Sequence, residues 1–234
     1  MTVLSAAQDA IARLVGRRPA AVVSSTDEIC VEVTSIAQEA AEDIAKAHDW
    51  QNLTEFYTLT ADGTAEAYPF PTDYDRMVQK TELYDPKTWC WGYEHITDYG
   101  QWIIYKNSGF GWISPGVWTI RKNQFHFMPT PAAGAQAVFA YVQNTIFTDA
   151  NGNPKARLTA DTDEFVLDER LLTLAIIWKW LSLKRMDYQQ EIEDYNVAIS
   201  QAAARDKGAR VIRKNNRFAP LNTYLAYPWP LGGN

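Results

Sequence analysis

The sequence predicts an α+β protein: a helical bundle of two N-terminal helices and one long C-terminal helix, an inserted, mostly antiparallel β region, and an extended C-terminal arm. Three observations predict it. Apolar residues recur every three or four positions near the N-terminus and again past residue 165. Between them lie short β-branched and aromatic runs split by Gly, Pro and Asn, and beyond residue 208 no period survives. The resulting segments are 1–53 for the N-terminal helices, 54–160 for the β-rich domain, 161–207 for the long helix and 208–234 for the arm.

Val3, Ala7, Ile11, Leu14 and Val15 share one helical face, and Gly16 with Pro19 marks its stop. After the short VVSS stretch, Thr26 or Asp27 can cap a second helix carrying Ile29, Val33, Ile36, Ala40 and Ile44 up to Trp50. The period then changes. FYTLTADGTAEAYPF reads as a hairpin turning at Asp62-Gly63, and QWIIY, GVWTIR, NQFHFMP and AVFAYVQ, beginning at residues 101, 116, 123 and 137, read as further strands. Asn151-Gly152-Asn153-Pro154 turns the chain out of this region. A long helix follows, with Leu167, Leu171, Leu174, Trp178, Leu181, Tyr188, Ile192, Tyr195 and Ile199 on one stripe that contains a small phase slip. The acids Asp161, Asp163, Glu164, Asp168 and Glu169 gather at its start, where free N–H groups and the helix dipole favour them.

A chain of 234 residues can bury a substantial core without staples. Cys30 and Cys90 lie in different elements without a CxxC, which argues against a disulfide framework. The N-terminus lacks the basic-then-apolar order of a signal peptide, and the run LLTLAIIW stops at Lys179, far short of a membrane span. The expected setting is a cytoplasm, or a particle packaged from one. Net charge is −6, unevenly spread: from Arg205 to Arg217 six basic residues oppose Asp206, so this stretch carries +5 and the rest −11. Such asymmetry suits a tail meant for an acidic partner. The tail also holds Phe218, Tyr224, Tyr227 and Trp229, whereas disordered tails are normally poor in aromatics.

Catalytic signals are sparse. His48, His95 and His126 fall in different elements without metal-ligand spacing, and no nucleophile elbow, P-loop or dinucleotide fingerprint occurs. Asp149, Asn151 and Asn153 imitate the start of a calcium loop, but Pro154 takes the glycine position and Ala160 the final glutamate position, so a turn is the better reading. In AYPFPTDYDRM, two prolines force extended backbone and a corner, where Asp73 and Asp75 would bond backbone N–H groups. A glycosidase pair would need carboxyls facing across a cleft about 5–10 Å wide. No enzyme activity, cofactor or metal is expected.

Three segments together carry a resemblance: the corner YPFPTDYDRM, the block VWTIRKNQFHFMPTPAAGAQAVFAYVQ, and ARLTADTDEFVLDERLLTLAIIWKWLSLKRMDYQQEIEDY. Their order and spacing, from Leu53 to Arg205, resemble the head-to-tail adaptor (connector) proteins of tailed bacteriophages. The resemblance implies a structural virion protein of the neck, made in the host cytoplasm, that forms a homo-oligomeric ring of twelve copies between portal and tail. That ring would line the channel through which DNA leaves, without sequence-specific binding. It also implies an arm that reaches the portal protein, here through Arg210, Arg213, Lys214, Arg217, Phe218, Tyr224, Tyr227 and Trp229. The segment 84–102, with Trp89, Trp91, Tyr93, Tyr99 and Trp102, departs from the family pattern and is a candidate loop toward the tail tube or nozzle protein. Two other readings use the same features: a carbohydrate-binding or glycan-hydrolysing tail component with those aromatics as sugar platforms, and a DNA-binding module using the basic arm.

Overall fold

A computed structural model of the chain describes residues 2–79, 81–86, 92–108 and 116–206. Within these it has five α-helices and ten short strands, so the α+β class holds. The chain divides into two compact units, neither continuous in sequence. The first comprises residues 2–55, 73–78 and 142–206; the second comprises 56–72 and the described residues of 79–141.

In the first unit, α1 (Val3–Val15) buries Val3, Ala6, Ala7, Ala10 and Ile11, and ends at Gly16, whose φ of 72° suits a residue without a Cβ. α2 (Glu28–Ala47) buries Cys30, Val33, Ala37, Ala40, Ala41 and Ile44. The central element is α4 (Glu169–Leu183), apolar nearly all round, which packs on α1, α2 and α5 (Gln189–Asp206). α5 buries no residue completely; Tyr195, Ala198, Ile199, Ala202 and Ala203 rest against the core as a half-buried stripe.

The single long helix expected after residue 161 is therefore two helices. Arg185 adopts the left-handed conformation (φ 56°), with Arg185 N–H donating to the Ser182 carbonyl (3.1 Å) and Met186 N–H to the Leu181 carbonyl (3.0 Å). This is a Schellman stop built on arginine instead of glycine. The phase slip in the apolar stripe was its trace; no Gly or Pro marks the place.

The acids before α4 also need correction. Only Asp168 caps the helix, accepting from Arg170 N–H at 2.9 Å, with Glu169 in the first turn. Asp161 instead accepts from the N–H groups of Val22, Val23 and Ser24 at 2.8, 2.8 and 3.2 Å, pinning the α1–α2 connection. Asp163, 1% exposed, accepts from Thr159 and Ala160 N–H (2.8 and 3.0 Å) and pairs with Lys155 at 2.7 Å. Glu164 lies in β10 (Glu164–Phe165), which joins β8 (Phe147–Thr148) and β9 (Pro154–Lys155) in a small antiparallel sheet of order β10-β8-β9.

Burial alone would raise the Asp163 carboxyl; the Lys155 ammonium and the two N–H groups outweigh it and hold the group below the ordinary carboxylate range. A folded-state value below the unfolded one gives stability that is complete above about pH 4 and is lost as pH falls through the folded value. Asp161 is lowered too, its hydrogen bonds to Ser24, Val22 and Val23 outweighing the raising effect of burial. Asp163→Ala is expected to cost about 3 kcal/mol in urea unfolding at pH 7, because Lys155 and two N–H groups lose their acceptor. It should also flatten the loss of stability expected of the unsubstituted protein below about pH 4.

β1 (Thr54–Thr60) carries the chain out of the first unit and β7 (Gln136–Gln143) returns it. Within the second unit these two strands pair, Ala61 N–H closing onto the Ala135 carbonyl at 2.8 Å. A four-stranded sheet of order β2-β6-β5-β4 is built from β2 (Ala67–Pro69), β6 (Gln124–Met128), β5 (Val117–Arg121) and β4 (Glu94–His95). It is antiparallel except for the β4–β5 pair. β5 and β6 turn on Lys122 and Asn123, both at positive φ (51° and 58°), as a two-residue type I′ hairpin requires. The core is aromatic: Phe127 meets Tyr68 and Tyr93 edge-on, and Phe125 meets Trp118 and Phe139 at centroid distances of 5.8 and 4.8 Å.

Two expected elements differ. Asp62-Gly63 does not close a hairpin, since β1 pairs with β7 while β2 pairs with β6. The Asp62 carboxylate accepts from Thr64 N–H, Ala65 N–H and the Tyr68 hydroxyl (2.8, 2.9 and 3.0 Å). These bonds hold a wider loop that redirects the chain to another partner strand. QWIIY lies not in a strand but in helix α3 (Tyr99–Ser108), which starts where Asp98 accepts from Gly100 N–H with its carboxylate (2.7 Å) and from Trp102 N–H with its carbonyl (3.0 Å). Between β2 and α3 in sequence, β3 (Tyr74–Met77) belongs to the first unit.

Candidate functional site

Residues 207–234 follow α5 in sequence, and the described end of α5 is fastened down. Gln51 N–H donates to Asp206 Oδ2 at 2.9 Å, and His48 Nε2 lies 3.6 Å from the same oxygen. The His48 ring stands edge-on to Trp50, whose indole N–H donates to the Ile44 carbonyl at 2.7 Å. So the last turn of α5 is tied to the short 3₁₀ turn at Gln51–Leu53 that leads into β1.

Beneath this contact sits Arg76 of β3. Its Nη2 donates to the carbonyls of Ala45 (3.2 Å) and His48 (3.0 Å), at the C-terminal end of α2, where carbonyls lack intrahelical N–H donors. Its Nε and Nη2 reach Asp49 Oδ1 at 3.3 and 3.1 Å, and its Nη1 reaches Asp75 Oδ2 at 2.7 Å. Asp49 is almost wholly buried, and Arg76 is a cation paired with it. At the acidic corner Asp75 departs from expectation as an ion-pair partner of Arg76, and the Asp73 carbonyl accepts from Asn144 N–H at 2.8 Å.

Two open clefts border α5. One of about 290 Å³ runs from Trp50 and Leu171 to Arg205 and Asp206. The other, about 690 Å³, lies among α1, the start of α4 and α5, with Asp9, Arg13, Asp194 and Val197 on its walls. The two share Asp168, Arg170, Ala198 and Gln201. Their walls mix both signs of charge with small apolar patches, the character of a polar protein-contact surface more than of a closed small-molecule pocket.

Of the residues singled out in the sequence, the arm set Arg210, Arg213, Lys214, Arg217, Phe218, Tyr224, Tyr227 and Trp229 lies outside the described residues, as do Trp89 and Trp91. Tyr93 and Trp102 are core residues, 3% and 7% exposed. Burial, then the nearby Asp85 charge, pushes the Tyr93 hydroxyl up to about 12. Trp102 packs with Ile96, Val117 and Met128. Neither offers a face to a tail protein or to a sugar. Tyr99 does remain exposed, its hydroxyl donating to the Ile120 carbonyl at 3.1 Å. Sequence reading missed its neighbours: Ile103 and Ile104, 59% and 66% exposed, form an apolar outer face of α3. The doublet of isoleucines, which breaks strand alternation, was the signal available.

The histidines do not converge. His95 stacks on Trp118 at 4.1 Å, and burial lowers both His95 and His126 from the ordinary value. Asp149 accepts from Asn151 and Asn153 N–H at 2.8 and 2.9 Å, so the calcium-like stretch is an Asx turn. Among the described residues no group of three or more His, Cys, Asp or Glu could hold a metal ion, and no helix is long and apolar enough to cross a membrane.

A search of curated proteins finds no match. The family model described as SU10 adaptor protein matches residues 1–224, which takes in the described residues of both units and runs into the segment 208–234, short of Tyr227 and Trp229. The chain belongs to the SU10 adaptor protein family, and is a bacteriophage head-to-tail adaptor, a structural protein of the virion.

Proposed function

We propose that copies of this chain close into a ring beneath the portal, lining the channel between capsid and tail, with the C-terminal arm of each copy docked on the portal. The observation that carries this reading is the family match from residue 1 to 224. The charge distribution supports it: a body of −11 repels a DNA backbone and lets it slide past, while a +5 stretch begins at the fastened end of α5. A rigid root matters physically, because an anchored arm searches a smaller volume and loses less entropy on docking than one hung from a frayed helix.

In this mechanism Phe218, Tyr224, Tyr227 and Trp229 fill apolar grooves on the portal, and Arg210, Arg213, Lys214 and Arg217 pair with acids there. Ring closure repeats one heterologous contact, a patch of each copy against a different patch of the next. The exposed α3 face with Tyr99, Ile103 and Ile104 is the part of the second unit best suited to a tail protein. Trp89 and Trp91 stay with the same tail-facing proposal.

Sedimentation of the 26.5 kDa chain alone and with a portal protein tests this. Addition of portal is expected to carry many copies of the chain into one complex. A complex holding one or two copies per portal assembly, or none, would remove the ring.

A further inference from the structure

We propose that the outer edge of β1 is the docking strand for residues 209–213 of this same chain, which add to it as a parallel strand and fix the direction in which the rest of the C-terminal segment departs. Among the described residues β7 is the only strand beside β1. Ala61, just past the end of β1, spends both backbone groups on the β7 side, its N–H on the Ala135 carbonyl (2.8 Å) and its carbonyl on Gly134 N–H (2.9 Å). Backbone groups alternate along a strand, so Thr60, Thr58 and Phe56 turn theirs outward. An edge of seven residues, rich in Thr and aromatics and carrying Glu55 as its one charge, is the kind that natural folds pair or cover. The outer face of β1 is bare as well. Phe56 is 78% exposed with Thr58 and Thr60 exposed beside it, whereas on the other face Leu59 is buried and Tyr57 packs on Phe139.

Place and composition choose the occupant. Asp206, the last residue of α5, accepts from Gln51 N–H at 2.9 Å, three residues before β1 begins, so the chain that follows α5 starts at the foot of β1. A parallel course needs no return. Extended chain advances about 3.3 Å per residue, so residues 207–213 match the seven residues of β1. Within them Ala209-Arg210-Val211-Ile212-Arg213 sets two adjacent β-branched residues in a stretch otherwise small or basic. Neighbours in a strand point to opposite faces, so in either register one of the pair lies by Phe56 and the other by Tyr57. Charge agrees, because Lys207, Arg210 and Arg213 approach a strand whose only ionised group is Glu55. Lys214, Arg217 and the four aromatics lie beyond the added strand. The contact is made within one chain and rests on neither the ring nor the portal.

Amide hydrogen exchange of the full-length ¹⁵N-labelled chain tests this, beside a Val211→Pro/Ile212→Pro variant that can donate from neither position. In the unsubstituted protein the N–H groups of Phe56, Thr58 and Thr60 are expected to exchange about tenfold more slowly than in the variant, while those of Tyr57 and Leu59, turned toward β7, exchange alike in both. Nuclear Overhauser contacts from the Val211 and Ile212 methyls to Phe56 and Tyr57 are expected at every protein concentration. Rapid exchange at Phe56, Thr58 and Thr60 in the unsubstituted chain, or protection that survives the two prolines, would overturn the proposal. Protection that fades on dilution, or contacts between labelled and unlabelled chains, would overturn it too, since either gives the strand to a second copy. Should the variant prove unfolded by far-UV dichroism, the methyl contacts in the unsubstituted chain decide alone, and their absence counts against the strand.

Discussion

Replacing Phe218, Tyr224, Tyr227 and Trp229 together by alanine is expected to leave a folded, soluble protein that no longer joins heads to tails. The reasoning is energetic. Buried aromatic anchors cost about 2 kcal/mol or more each when truncated at an interface, so the four together would weaken docking by about 1000-fold or more even with strong non-additivity. The fold is expected to be spared, because among the described residues both hydrophobic cores close without these four side chains. Complementation of an adaptor-deficient phage, scored as infectious particles, measures the loss, and thermal unfolding of the purified variant measures the fold. Full infectivity with the four alanines in place would remove the arm from the mechanism.

The second large effect is expected at Arg76. Arg76→Ala removes the cation facing the nearly buried Asp49 and leaves the carbonyls of Ala45 and His48, at the end of α2, without that donor. Truncating one member of a buried ion pair costs about 3–5 kcal/mol, chiefly because the remaining charge stays in a low-dielectric site. Urea unfolding should show that loss as a lower midpoint with an unchanged slope. Since the His48 carbonyl is held by Arg76 and the His48 ring adjoins Asp206, hydrogen exchange at Gln51 N–H should also accelerate. Arg76→Lys should recover only part of the stability, because an ammonium cannot serve Asp49, Asp75 and two carbonyls from one plane.

What the sequence made legible follows a physical rule. α1, α2, β6 and β7 could be read because each turns mainly one face to a core, and that face imprints a period on the sequence. β5, with Val117, Trp118 and Thr119 all buried, was readable instead as a short β-branched and aromatic run. The stop between α4 and α5 left only a phase slip, since Arg185 takes a left-handed conformation usually given to glycine. Asp62-Gly63 looks like a hairpin locally, but strand pairing is a long-range choice, and Ala61 finds Ala135 instead. The interleaving of the two units, with residues 73–78 and 142–206 rejoining the N-terminal helices, has no local signature at all.

The candidate site was legible unevenly for the same reason. Charge asymmetry and aromatic content single out the sequence after residue 205 because composition does not depend on folding. Tyr93 and Trp102 were taken for surface because an aromatic residue reads alike whether it lines a core or a contact face. Asp75 was assigned to a turn, yet its partner is the adjacent Arg76, which the fold uses to neutralise Asp49 from a distant segment. Nothing near Asp49 in sequence announces that partner.

The central claim is that an acidic, two-unit body is built into a ring and held to the portal by a basic, aromatic arm. Electron microscopy of the chain bound to a portal protein tests it most directly. The account predicts a closed ring of repeated copies, each sending density from the end of its α5 onto the portal surface. Single copies scattered on the portal, or a ring in which no density leaves the α5 ends toward the portal, would contradict it.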